Sequence, residues 1–341
     1  MAFTMHSHSG QFCPGHAKDQ LEEIIQHAIK LGFKTMGLSE HMPRTDVMDL
    51  YPEELLPSPQ ESLAALAPRH EAYLSEATRL RDAYADRMHI LVGFETEFLR
   101  PGDYAPLIRH LAAHPDVEYV VGSLHHVRGV PIDFNREMYA AAVRACNGGG
   151  GEGSDGGEEE YEDSEEEALW MAYLDEQLAM LKAVKPRVVG HFDVVRLLSK
   201  QPQRDLRTAW GQGQGQGQGD DGVWSRVLRN LEAVREYGGW LECNTSALRK
   251  GLPEPYPKRE IAEAWLAMGG RFTFSDDSHG IAQVGTNYLK GLEYLEGLGV
   301  KEVWTLERQA AEDGGKGKLV EKAVSIDEFR ASLVLEEAQG A

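Results

Sequence analysis

The chain has 341 residues, 42% of them hydrophobic, and a formal net charge of −20. That is apolar material enough for one large core (an α/β barrel needs roughly 250 residues), and the acidic balance argues against a nucleic-acid partner. No apolar run approaches the roughly 20 residues of a membrane span, and Cys13, Cys146 and Cys243 are too few and too scattered for a disulfide framework, so a cytoplasmic protein with no leader ahead of His6 is expected.

Strand-like and helix-like segments alternate from the start. A short strand over 3–8 ends in His6-Ser7-His8. An amphipathic helix over 17–31 places Leu21, Ile24, Ile25, Ala28 and Ile29 on one face and stops at Gly32. The strand 34–38 runs into Ser39-Glu40-His41, and a helix over 62–85 leads to the strand 90–94, which runs into Glu95 and Glu97. A helix over 104–113, stopped by Pro115, precedes the strand 119–121 and Gly122-Ser123-Leu124-His125. The second half repeats the pattern. The helix 168–184 precedes the strand 187–189 and His191, and the helix 223–236 precedes the strand 240–243 and Asn244. The helix 259–268 precedes the strand 271–274, which ends in Asp277-Ser278-His279, and 302–305 is a weaker candidate for an eighth strand.

Two segments break the alternation: 147–167, glycine-rich and then acidic, and 211–222, with a Gly-Gln repeat. The ten acids between 152 and 167 carry half of the net charge. Neither composition can bury apolar surface, so both are expected as solvated insertions in a single domain spanning 1–341.

A run of βα units implies a parallel sheet with helices outside it. Every histidine motif lies at the C-terminal end of a strand. In an open doubly wound sheet such ends spread along a crevice, whereas in a closed barrel they converge on one mouth. Six strand ends carrying ligand-type residues favour the barrel, with seven clear strands.

Imidazoles with carboxylates are the donor set of zinc, manganese and iron. His6-x-His8 and Asp277-x-His279 each present two donors on one strand face, because side chains alternate. HxH alone is a weak signal; several such pairs at strand ends are not. Seven histidines and their acids are too many for one ion, and clusters of divalent ions are usually hydrolytic, often on phosphate esters. Of the remaining histidines, His27, His70, His110 and His114 are expected at the surface, and His126 on the face opposite His125. Competing chemistries lack their motifs: there is no GxSxG elbow, no P-loop, and no GxGxxG after a strand.

The segments MHSHSGQFCPGHA (5–17), GLSEHMPR (37–44), GFETEF (93–98), YVVGSLHHV (119–127), VVGHFDVVR (188–196), LECNTSALRKG (241–251) and FSDDSH (274–279) together resemble the PHP (polymerase and histidinol phosphatase) superfamily of metal-dependent phosphoesterases. The likeness is to its monofunctional histidinol-phosphate phosphatase branch and runs over roughly 3–310. The resemblance implies a distorted (β/α)7 barrel and three metal sites: His6, His8, Glu95 and Asp277; Glu95, His125 and His191, with Glu95 bridging; and His16, His41 and His279. It implies hydrolysis of L-histidinol phosphate to L-histidinol and phosphate in histidine biosynthesis, the alternative being another small phosphate ester or a nucleotide.

The chemistry expected is in-line attack by a hydroxide bridging two cations. Arg249 is the first choice as phosphate clamp, because a guanidinium binds phosphate bidentately; Arg44, Arg128 and Arg196 are second choices. Asp277 or His279, or a water, is expected to serve the leaving group. Glu97, Asp133 and Glu40 are candidates to face the ammonium or imidazole of the substrate, the partner expected for this site.

Overall fold

The structure, a computed structural model, describes residues 1–56, 58–148, 161–211, 222–309 and 317–334. In chain order its elements begin β1 (Ala2–Thr4), α1 (Leu21–Lys30), β2 (Phe33–Leu38), α2 (Pro59–Ala83), β3 (His89–Glu95), α3 (Pro101–Ala112) and β4 (Tyr119–Gly122). A small hairpin, β5 (His126–Val127) with β6 (Val130–Pro131), and α4 (Arg136–Cys146) follow. Then come α5 (Asp163–Val184), β7 (Val188–Val189), α6 (Val223–Tyr237), β8 (Trp240–Asn244), α7 (Ser246–Arg249), α8 (Arg259–Ala267) and β9 (Phe272–Ser275). The chain ends with α9 (Tyr288–Gly297), β10 (Glu302–Gln309), β11 (Lys318–Ser325) and α10 (Ile326–Ser332).

Seven strands form one sheet in the order β1-β2-β3-β4-β7-β8-β9, and every neighbouring pair is parallel. The ends meet: Met5 N donates to Phe274 O at 3.2 Å, and His8 N to Ser278 O at 2.8 Å. The sheet thus nearly closes into the expected seven-stranded barrel, stitched along its C-terminal rim. Six of the seven β3 residues are buried, as strands covered on both faces require.

Tyr119 fills much of the interior, its hydroxyl donating to Met5 O at 3.0 Å. A Cβ at Gly37 would lie 2.3 Å from that hydroxyl oxygen, and one at Gly93 would lie 2.5 Å from the ring. Glycine at both positions is what admits the ring, two residues below Glu95.

The rim residues keep the strand alternation beyond the ladder. β1 ends at Thr4, short of the expected 3–8. Ser7 Oγ turns outward to Gly37 O at 2.8 Å, while His6 and His8 on either side are buried.

Three expectations need correction. The eighth strand is no barrel strand: β10 pairs antiparallel with β11 in a separate ribbon. Its alternating burial suits a sheet wet on one face. Secondly, the acidic end of 147–167 is ordered: α5 starts at Asp163, and Glu166 is buried, accepting from Tyr139 Oη at 2.7 Å. Residues 149–160 and 212–221 of the two insertions lie outside the described residues. Lastly, His70 is buried, not at the surface.

Candidate metal centre and substrate cleft

Glu95 ends β3 at the centre of the rim. Its Oε1 lies 3.0 Å from His191 Nε2, 3.2 Å from His6 Nε2 and 3.3 Å from His125 Nε2. Its Oε2 lies 3.1 Å from His41 Nδ1 and 3.4 Å from His8 Nε2. Asp277, one turn past β9, lies within 3.6 Å of His6, His8 and His279. Two of these residues have positive φ, His191 at 20° and Asp277 at 49°. Non-glycine residues adopt such backbone sparsely, and it collects at functional sites.

Many of these approaches are close without being aligned as hydrogen bonds. Among the described residues, His6 Nε2, both ring nitrogens of His8, His41 Nδ1, His191 Nδ1 and His279 Nε2 are buried without a hydrogen-bond partner. Buried polar atoms are normally satisfied, so the orphans that face Glu95, namely His6 Nε2, His8 Nε2 and His41 Nδ1, mark a place for something else; His191 faces it through Nε2 instead. Ligand atoms lie within 4.8 Å of one another in four groups: His6, His8 and Asp277; Glu95, His125 and His191; His8, His41 and His279; and His41, Glu97 and His125. The second has the residues expected for it, and the first lacks Glu95 of its expected four. In the third, His8 stands where His16 was expected. His16 holds Glu53 Oε1 through Nδ1 at 3.0 Å, with its ring 4.7 Å from that of His279.

A layer of buried acids stands behind these imidazoles. Glu242 Oε1 is 2.9 Å from His6 Nδ1, and Glu97 Oε2 is 3.2 Å from His125 Nδ1. His279 Nδ1 lies 2.9 Å from Asp277 O; a carbonyl only accepts, so Nδ1 carries the proton and Nε2 presents its lone pair. Partners at the far nitrogen fix the tautomer and aim of a ligating histidine. Sequence reasoning missed Glu242. The signal was available in WLECN, a charged residue inside an otherwise apolar strand.

The electrostatics suit cations. Burial opposes charge on His6, His8 and His125, but acids outweigh it: Glu95 and Glu242 raise His6, Asp277 and Glu40 raise His8 to about 9, and Glu97 and Glu95 raise His125. Burial also opposes ionisation of Glu95 and Glu97, yet the facing imidazoles hold both well below the usual carboxylate range. Burial and the neighbouring His8 push His41 down to about 4 and keep His279 well below its ordinary value. The acids therefore draw in more positive charge than mutually repelling imidazolium groups can supply. Divalent ions on the orphaned nitrogens meet that demand, and the nitrogen and oxygen donors fit zinc, manganese or iron.

Above the cluster opens a cleft. Arg249 and Lys250 line it, beside Asp277 and His279. Arg249 is held by Asp276 O and Asp277 O, each at 3.1 Å, so it stands over the end of β9. Another part of the wall is Tyr51, Asp133 and Phe134. Tyr51 stacks on Phe134 with centroids 6.4 Å apart, and its hydroxyl reaches Glu97 at 3.4 Å, so this part stands over the ends of β3 and β4. Lys250, Tyr51 and Phe134 were not anticipated.

The other candidates are placed elsewhere. Arg44 pairs with Glu54, lies 5.4 Å over the Tyr51 ring, and faces a narrow adjoining pocket. Arg196 is buried, tied to Asp193 at 2.7 Å and to Pro255 O at 2.8 Å. Arg128 is 64% exposed beside Glu176. Glu97 is fully buried and Glu40 accepts from Ser9 N at 2.8 Å, so neither faces the cleft as a substrate contact. His126 is buried 5.1 Å from the Tyr51 ring.

A parallel barrel with a nitrogen and oxygen donor cluster at the carboxyl ends of its strands defines a metal-centre barrel. The PHP domain model matches residues 4–246. The chain is 35% identical to the "Probable histidinol-phosphatase" of Schizosaccharomyces pombe, covering 98% of this chain and 97% of that protein. It is 33% identical to the histidinol-phosphatase of Saccharomyces cerevisiae, covering 85% and 87%. The chain belongs to the PHP domain family and, within it, to the histidinol-phosphatases. Its fold matches the crystal structure of histidinol phosphate phosphatase from Lactococcus lactis, with a TM-score of 0.60 at 15% identity over 89% of this chain and 96% of that one. That structure holds zinc, L-histidinol and phosphate.

Proposed function

We propose that the chain hydrolyses L-histidinol phosphate to L-histidinol and phosphate, with divalent ions held in the rim cluster. The observation that carries this reading is the convergence of orphaned imidazole nitrogens on Glu95 and Asp277 at the floor of the cleft. The relatives supply the substrate. His6, His8, Asp277 and Glu95 would hold one ion and Glu95, His125 and His191 a second. His41 and His279, with His8 or the nearby His16, would hold a third. When bound, such ions supply Lewis acidity to the phosphoryl oxygens and a water acidic enough to attack near neutral pH. Zinc is favoured by the Lactococcus relative; manganese and iron suit the same donors.

The chain's own residues do the rest. Arg249, whose guanidinium is pre-aimed by two carbonyls, and Lys250 bind the phosphoryl group. Tyr51 and Phe134 offer an aromatic face to the imidazole, and Asp133 a carboxylate to the ammonium. This division matches a substrate that is anionic at one end and cationic at the other. His279, with its lone pair at Nε2, serves as a ligand rather than as the acid for the leaving alkoxide. Among the described residues no helix is long and apolar enough to cross a membrane, and we place this enzyme of histidine biosynthesis in the cytoplasm, as one domain with two insertions.

A panel of phosphate esters tests the reading. kcat/KM for histidinol phosphate should exceed that for p-nitrophenyl phosphate or glycerol phosphate by about 100-fold, because a site that pairs charged groups rejects analogues lacking them. Equal values across the panel would leave a general phosphoesterase. Stripping with a strong chelator should abolish the activity, and zinc, manganese or iron should restore it.

A further inference from the structure

Glu242 lies in the middle of β8 with no exposed surface. An isolated buried carboxylate costs several kcal/mol, so its partners decide whether the position is tolerable. Among the described residues no arginine or lysine is one of its hydrogen-bond partners. Its Oε1 faces His6 Nδ1 at 2.9 Å and accepts from Ser275 Oγ. Its Oε2 accepts from the His191 backbone N–H at 2.7 Å and from Asn244 Nδ2 at 3.0 Å.

Each oxygen therefore serves a different ligand position. His6 groups with His8 and Asp277; His191 groups with Glu95 and His125. The two rings stand 5.8 Å apart. His191 has a φ of 20°, which a histidine keeps only when its surroundings impose it. The next residue back, Gly190, makes room for Ser123 rather than for Glu242. A Cβ at Gly190 would lie 2.4 Å from Ser123 Oγ and 3.6 Å from Glu242 Oε2.

We propose that Glu242 is a positioning residue shared by two metal groups. It sets the tautomer and aim of His6 through Nδ1, and the placement of His191 through its main-chain N–H, so both groups weaken together when it is replaced. The inference rests on the metal-dependent reading above and adds a residue that touches neither ion nor substrate.

Glu242→Gln in the full-length protein tests it. Glutamine keeps the shape, but one of its two terminal atoms donates, so it cannot accept from both His6 Nδ1–H and His191 N–H. Both variant and wild type would be loaded with zinc, dialysed without chelator, and assayed for zinc per chain and for zinc affinity by chelator competition. Two of the wild-type ions should bind about 10- to 100-fold more weakly in the variant, the usual effect of removing such a support. The lost hydrogen bonds should lower the melting temperature of the metal-free variant, but by less than that of the zinc-loaded variant, which loses zinc binding as well. The zinc-loaded variant should melt lower than the zinc-loaded wild type.

Glu242→Asp keeps the charge but is one methylene shorter. It should weaken at least one ion, and it carries the test if the glutamine variant does not fold. Wild-type zinc content and affinity in whichever variant folds would overturn the inference, as would a metal-free melting temperature lowered as far as the loaded one. Failure of both variants to fold with zinc present would overturn it too, by showing that Glu242 serves the barrel itself. A wild-type protein that binds no divalent ion would instead overturn the metal-dependent reading, and this inference with it.

Discussion

Glu95 is approached by five imidazoles, from His6, His8, His41, His125 and His191. They come from four strand ends and meet on its two oxygens, so on the proposed reading Glu95 would link the ions. Glu95→Gln removes a negative charge where cations would repel one another. Metal content should fall below the wild-type stoichiometry, and turnover should drop by orders of magnitude. Metal analysis of the purified variant checks the first and steady-state kinetics the second. On the proposed function, Asp133 would act at the other end of the substrate. Asp133→Asn should raise KM for histidinol phosphate about tenfold, the worth of one charge-assisted contact, and leave p-nitrophenyl phosphate unchanged. A matching loss on both esters would remove Asp133 from specificity.

At the scale of elements, the acidic stretch before α5 shows how composition misleads. Ten acids without a base read as a solvated run, yet its last turn is docked. Asp163 is held by Arg204 at 2.7 Å, Trp210 Nε1 donates to Asp163 O at 2.9 Å, and Glu166 accepts from buried Tyr139. Glu166→Ala should therefore destabilise the protein by about 1–3 kcal/mol in urea unfolding, the cost of orphaning a buried donor. An unchanged midpoint would restore the solvated reading.

The seven barrel strands were legible because each is a short apolar run, six of them leading to a ligand-type residue. The eighth misled because EVWTLERQ alternates, and alternation marks an antiparallel strand with one wet face. Apart from His16, in the loop after β1, the candidate metal ligands were legible because they sit at or just past strand ends. The arginines were not, because an arginine after a strand end can equally point into the wall, as Arg196 does, or out to solvent, as Arg128 does. Long-range partners decide which, and local spacing carries no trace of them.

At the scale of the whole molecule, acid stability should be set partly outside the site. His70 packs between Tyr73 and Phe94, with ring centroids 6.0 and 5.9 Å away. Among the described residues neither of its ring nitrogens has a hydrogen-bond partner. Burial lowers it from 6.5 to about 4, against a small opposing pull from Glu71. Above pH 6.5 neither the folded nor the unfolded chain protonates His70, so it adds no pH dependence. Between 6.5 and about 4 the unfolded chain binds the extra proton, and folding stability falls as the pH falls, by about 1.4 kcal/mol per unit. Below about pH 4 both states are protonated and the loss stops growing. His70→Phe removes this term while keeping an aromatic ring beside Tyr73 and Phe94. Going from pH 7 to pH 5, the variant should therefore gain about 2 kcal/mol relative to wild type in urea unfolding. Because both proteins lose metal to acid alike, the difference between them isolates His70. Parallel pH profiles would show that His70 does not stay neutral in the folded protein over that range.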